Sequence, residues 1–209
     1  MIELFVKVLF LGDRSCGKTS IIGRFAHNTF LGRCRTTHGV DFAVRELRWA
    51  ESTTVRLQMW DLSSHERYDN MTKMYYRGAA GAFVVFDCSC DSSRCQAEAI
   101  LKWKHQIDQS VESSGGQPIP VILLVSKCDA ARHLSAPSLE QLRAFAAAHG
   151  FAHVCETSAR TEQHRVHTPR PGSRVVLCCV VLGCVRLFCA LMLMPGLFCR
   201  ALTMQWRAC

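Results

Sequence analysis

The chain predicts an α/β fold, a mostly parallel six-stranded sheet with helices on both faces, and three observations carry that expectation. Apolar segments of strand length recur up to residue 156, segments of helical period lie between them, and a glycine-rich turn joins the first strand to the first helix. Strands that alternate with helices are joined by crossovers, which makes the strands parallel and covers both faces of the sheet.

Residues 4–11, LFVKVLFL, are apolar apart from Lys7, as a strand buried on both faces requires. A helical pattern runs from Lys18 to about Phe25. Segments 40–49 and 53–60 alternate about a short polar turn at Glu51, which predicts an antiparallel hairpin. Apolar strands follow at 82–87, 119–125 and 152–156, with helical patterns at 66–77, 94–110 and 138–149.

At 209 residues the chain is long enough for one domain with a full core. Its net charge of +8 is uneven. Residues 1–159 hold 18 Lys and Arg against 16 Asp and Glu, whereas residues 160–209 hold seven Arg and one Glu. The main body is therefore no nucleic-acid binder, and the positive charge belongs to the tail. The opening residues lack a basic region and a small-residue cleavage site, so no export signal is read there. The 13 cysteines then read as reduced thiols.

The segment GDRSCGKTS (12–20) fits G-x-x-x-x-G-K-[ST] between a buried strand and a helix. Gly12 and Gly17 let the backbone curl, so that amides over Ser15, Cys16, Gly17, Lys18 and Thr19 point at phosphates, and Ser20 is counted with them among the nucleotide-binding residues. Lys18 is expected at the β- and γ-phosphates and the Thr19 hydroxyl at Mg²⁺. Asp61, where a neighbouring strand ends, supplies the second metal-side group. SKCD (126–129) follows another strand. Asp129 there would accept from the two donors on guanine's edge, and Lys127 would lay its stem along the base. ETSAR (156–160) follows the last strand and brings Ser158, Ala159 and Arg160 to the base, the Ala159 amide donating to the guanine O6.

In this order, from about residue 3 to residue 160, the motifs resemble those of Rab-type small GTPases of the Ras superfamily. The segment TTHGVDF (36–42) is similar to the first switch of that family, WDLSSHERY (60–68) to the second, and YYRGA (75–79) to a Rab-characteristic segment. FAVRELRW, LKWKHQID and GGQPIPVILLVSKCD resemble the subgroup that serves lysosome-related organelles and melanosomes. The resemblance implies the P-loop small-GTPase fold, GTP or GDP with Mg²⁺, and Thr37 as a third metal ligand that senses the γ-phosphate. It also implies effectors that read an aromatic surface of Phe42, Trp60 and Tyr75, an exchange factor, and a GTPase-activating protein. The role implied is in vesicle traffic, on the cytoplasmic face of endosomal or lysosome-related membranes.

The departures from the family pattern are specific. Ser64 stands where the family has a glycine, and its Cβ strains close approach to the γ-phosphate. His65 replaces the glutamine that orients water, so this catalytic position is altered and slow hydrolysis is expected. Ser126 replaces an asparagine that both ties the base loop to the phosphate loop and contacts the base, and a serine is too short to do both. Arg14, Ser15, Cys16 and His38 also differ from the usual residues. An alternative therefore stands beside the switch: a nucleotide-poor pseudo-GTPase, or a variant of splicing or gene structure, acting only as a protein-binding scaffold.

Residues 161–174 read as a linker, and Pro169 and Pro171 preclude the long final helix that usually closes such a domain. The segment 175–198 is 24 residues long with Arg186 as its single charge. About 20 apolar residues suffice to span a bilayer. Its 13 Val, Leu and Phe residues offset the ~3 kcal/mol cost of one arginine, so insertion is narrowly favoured. The segment has no polar face, which argues against its replacing the missing helix. The other reading is an exon without a designed role, which would leave the protein cytosolic. Cys209 ends the chain outside any CaaX box, as a second conceivable membrane attachment.

Overall fold

A computed structural model describes residues 2–30, 32, 37–50, 52–63, 72–89, 93–110, 118–131, 136–161 and 164–165. The strands are β1 (Ile2–Gly12), β2 (Val40–Ala50), β3 (Thr53–Leu62), β4 (Gly81–Asp87), β5 (Val121–Ser126), β6 (His153–Thr157) and β7 (His164–Arg165). The helices are α1 (Lys18–His27), α2 (Thr72–Tyr76), α3 (Ser93–Ser110) and α4 (Leu139–Ala148).

The strands form one sheet in the order β2-β3-β1-β4-β5-β6-β7. β1, β3, β4, β5 and β6 are mutually parallel, and β2 returns antiparallel on β3 as the hairpin pattern predicts. To the six expected strands the structure adds β7, which pairs antiparallel with β6 through Glu156 and Thr157. Its two residues have no strand pattern in the sequence, because main-chain pairing alone defines it.

Periodicity decides which residues go inside. β3 alternates buried and half-buried residues, while β4 and β5 are buried throughout, as central parallel strands must be. One face of the sheet packs against α1 through Ile21, Ile22 and Phe25. The other packs against Tyr76 of α2, Ile100, Trp103 and Ile107 of α3, and Leu142 and Ala146 of α4. α4 begins in a capping box, Ser138 and Gln141 each bonding the other's amide.

The second helix is described only at Thr72–Tyr76; the first part of the expected 66–77 helix lies outside the described residues. Among the described residues no helix follows β6. The expected linker beyond Arg165 and the apolar 175–198 segment also lie outside them. No helix of the described residues is long and apolar enough to cross a membrane.

Candidate functional site

Because five strands run parallel, their C-terminal ends open on one edge, and each motif sits there. A cleft of about 680 Å³ occupies that edge. Ser15, Gly17, Lys18, Thr19 and Ser20 line it from the phosphate loop, Thr37 and Asp61 from the switch side, and Lys127, Asp129, Ala159 and Arg160 from the base side.

The loop owes its path to two glycines. Gly12 has φ 146°, and an added Cβ would overlap the Val85 carbonyl oxygen. Gly17 caps α1 at φ 100° without any side-chain hydrogen bond, so the first turn keeps its amides for a ligand. Lys18 is buried, and its ammonium donates to the carbonyl oxygens of Gly12 (2.9 Å) and Asp13 (3.0 Å). Cys16 turns inward: its thiol packs with the apolar core, its amide donates to the Asp13 carbonyl at 3.4 Å, and its side chain does not line the cleft. Burial pushes that thiol's pKa up, against the nearby Lys18 charge. On α3, Trp103 Nε1 donates to Asp13 Oδ1 at 3.1 Å and braces the loop from behind.

The expected metal ligands converge. Thr19 Oγ1 donates to Asp61 Oδ2, Thr37 Oγ1 reaches the same oxygen at 3.2 Å, and the two hydroxyls lie 2.9 Å apart. Asp61 is 2 % exposed, and burial raises its carboxyl above the ordinary value although Thr19, Lys18 and Thr37 oppose the shift. Its Oδ1 is buried without a hydrogen-bond partner. Two hydroxyls and a carboxylate with an unspent oxygen form an all-oxygen donor set, which fits Mg²⁺ beside phosphates.

On the base side, Ser158 Oγ donates to Asp129 Oδ1 at 2.5 Å. Ser158 is fully buried and absent from the cleft lining, so it aims Asp129 instead of touching a ligand. Lys127 has φ 58° and its ammonium lies 2.5 Å from Asp87 at the end of β4. Asp87, which anchors that ammonium, was not singled out in the sequence, since an aspartate ending a strand has no distinguishing pattern. Phe30 was missed too: it lines the cleft from the loop after α1, where no periodicity marks it. Arg24 Nε donates to the Ala159 carbonyl at 2.9 Å, fastening α1 to the loop that carries the Ala159 amide.

Of the two roles expected at its position, Ser126 holds one. Its hydroxyl is long enough to keep the tie to the phosphate loop, donating to the Cys16 carbonyl at 2.5 Å. The altered positions Ser64 and His65 lie outside the described residues.

The expected aromatic surface is present. Phe42 and Trp60 stack at 5.8 Å between centroids, Trp60 and Tyr75 meet at 6.3 Å, and the Lys7 ammonium lies 4.0 Å from the Trp60 ring centre. Phe42 is 63 % exposed.

Residues 7–168 match the Ras family. Over 158 residues, 76 % of this chain and 68 % of the relative, the chain is 48 % identical to Ras-related protein Rab-32 of Homo sapiens. It is 41 % identical over 159 residues to Ras-related protein Rab-32A of Dictyostelium discoideum, covering 76 % of this chain and 71 % of that protein. Ras-related protein Rab-7L1 of Homo sapiens is 35 % identical over 158 residues, 76 % of this chain and 75 % of that protein. With the phosphate loop, the converging oxygen ligands and the base loop in place at one sheet edge, the chain belongs to the Ras family, as a Rab small GTPase related to Rab-32 and Rab-7L1 and hence a GTP-binding switch of membrane traffic.

Proposed function

We propose that this Rab chain binds GDP and GTP with Mg²⁺ in the cleft and hydrolyses GTP slowly. The observation that carries the reading is the convergence of Thr19, Thr37 and Asp61 on one point beside the amides of the α1 N-terminus. Bound Mg²⁺ would neutralise phosphate charge there. Lys18, already inside the loop, exchanges two neutral carbonyl partners for anionic phosphate oxygens, and the bond charged on both sides is the stronger one. Asp129, held by Ser158, selects the paired donors of guanine. Ser64 and His65 support slow turnover, because neither supplies the glycine freedom or the amide that positions water. Effectors would read Phe42, Trp60 and Tyr75, and the family supplies an exchange factor and an activating protein. The site of action in this reading is the cytoplasmic face of endosomal or lysosome-related membranes.

A second reading, the nucleotide-poor scaffold, draws on one observation. Thr19, Thr37 and Asp61 already bond one another, and Lys18 is satisfied by the loop's own carbonyls. Calorimetric titration of the full chain with GDP, a non-hydrolysable GTP analogue and ATP in Mg²⁺ decides between them. Submicromolar guanine binding, no ATP binding, and a loss of at least about a hundredfold in Lys18→Ala are expected. A folded protein that takes no guanine nucleotide at high micromolar concentration overturns the switch and leaves the scaffold.

A further inference from the structure

At the base end of the cleft one guanidinium joins parts of the chain that are far apart in sequence. Arg24 sits half-buried in the last turn of α1, and its side chain does not line the cleft. Its Nε donates to the Ala159 carbonyl at 2.9 Å. One terminal nitrogen donates to the Asn28 carbonyl at 3.1 Å and to Asn28 Oδ1 at 3.3 Å. The guanidinium carbon lies 6.0 Å from the centre of the Phe30 ring, within cation–π reach. Ala159 and Phe30 both line the cleft, so Arg24 touches two of its walls from behind.

Asn28 and Phe30 are exposed, so burial does not fix the turn that carries them. Ser158 is already tied to Asp129 and accepts from the Thr161 amide at 3.1 Å. The Ala159 carbonyl is where this tied loop meets α1. A guanidinium suits that place because its donors are fixed in one plane, so bonding Asn28 also aims the nitrogen that bonds Ala159.

We propose that Arg24 is a positioning residue for base recognition. It locks the Ala159 loop and the turn leading to Phe30 against one another, and so holds the Ala159 amide at the oxygen of a 6-oxopurine. The inference rests on the guanine-nucleotide reading above and deepens it. Asp129 reads the donors of the base, while Arg24, acting through Ala159, sets how strongly its oxygen is read.

Titration of the full chain with GDP and with 6-thio-GDP tests this. Sulfur in place of the oxygen is a weak acceptor, and the analogue keeps both donors that face Asp129. Arg24→Ala is expected to lose about tenfold in GDP affinity and less than about threefold in 6-thio-GDP affinity. An equal loss for the two ligands overturns the proposal, because an arginine that only stabilised the fold would move them together. Arg24→Lys keeps the charge at the α1 C-terminus but not the planar fork, so the same selective loss is expected there. It decides should the alanine variant not fold. Hydrogen exchange of the nucleotide-free chain needs no ligand. The 158–161 amides should exchange at least about tenfold faster in the variant, with those of 17–21 unchanged. Unchanged exchange at 158–161 overturns the proposal. A natural chain that binds neither nucleotide removes the switch reading instead, and the exchange comparison then decides the clamp alone.

Discussion

The Ser126 hydroxyl donates to the Cys16 carbonyl at 2.5 Å across 110 positions of sequence, tying the base loop to the phosphate loop. Ser126 is buried and lies beside Gly17, where an added Cβ would stand 3.8 Å from it. Ser126→Ala leaves a buried carbonyl without this donor, so a loss of about 1–3 kcal/mol in stability is expected. Thermal melting reads it directly, and GDP affinity should fall in parallel. A melting temperature equal to that of the natural chain would show the tie to be energetically empty.

Asp87 gives the chain an acid-sensitive anchor for Lys127. Burial works to raise its carboxyl, but the Lys127 ammonium and the Ser89 amide and hydroxyl outweigh that and hold it below the ordinary value. A depressed folded pKa contributes stability that is full above the unfolded value of about 3.9 and is lost as pH falls through the folded one. Asp87→Asn should therefore be less stable than the natural chain at pH 7, with the difference shrinking in acid as the pH falls below about 3.9. Urea titrations at pH 7 and in acid check this. A constant difference at both would assign the effect to packing.

The sign reverses at Asp61. Burial is the largest influence and lifts the carboxyl above its ordinary value. Its contribution to nucleotide-free stability is full below about 3.9 and declines as pH rises through the folded value. Asp61→Asn should raise the melting temperature of the nucleotide-free chain at pH 7 by about 2–4 °C, equivalent to roughly 1 kcal/mol. The same variant should lose the Mg²⁺-dependent part of GDP affinity. Melting and titration with and without chelator separate the two effects, and a GDP affinity that still responds to Mg²⁺ would remove Asp61 from the metal site.

Turnover should respond to the two altered switch positions together. The Ser64→Gly, His65→Gln variant is expected to raise single-turnover GTP hydrolysis by about ten- to a hundredfold, or some 1.4–2.8 kcal/mol of barrier. Rapid-quench measurement on preloaded protein checks it. Equal rates would place the limit elsewhere in the site.

Spacing made the phosphate loop legible, because the chemistry fixes the residue types at Gly12, Gly17, Lys18 and Thr19 and the flanking strand and helix have their own periods. The hairpin of β2 and β3 was legible from alternation, but the register Phe42 to Trp60 was not, because an irregularity between Arg48 and Ala50 shifts the pairing by one residue from what the short turn sets. Ser126 was half legible. The residue is shorter than the family's, but whether its hydroxyl still reaches Cys16 depends on a three-dimensional distance that no local pattern encodes. Asp87 and Arg24 act through partners 40 and 135 positions away, and Phe30 enters the cleft from a loop, so only the assembled sheet edge reveals them. β7 was invisible for a different reason, since two residues paired through main chain leave no side-chain signature.

The bond from the Trp103 indole to Asp13 gives the protein a built-in optical reporter. An indole's emission follows the polarity and hydrogen bonding around its nitrogen, and this nitrogen is held by the loop that must adjust when phosphates enter. Nucleotide exchange should thus be visible as a shift in intrinsic fluorescence without any label. The shift should vanish in Trp103→Phe, while Trp60, stacked in the aromatic surface, supplies a separate channel for partners that dock there.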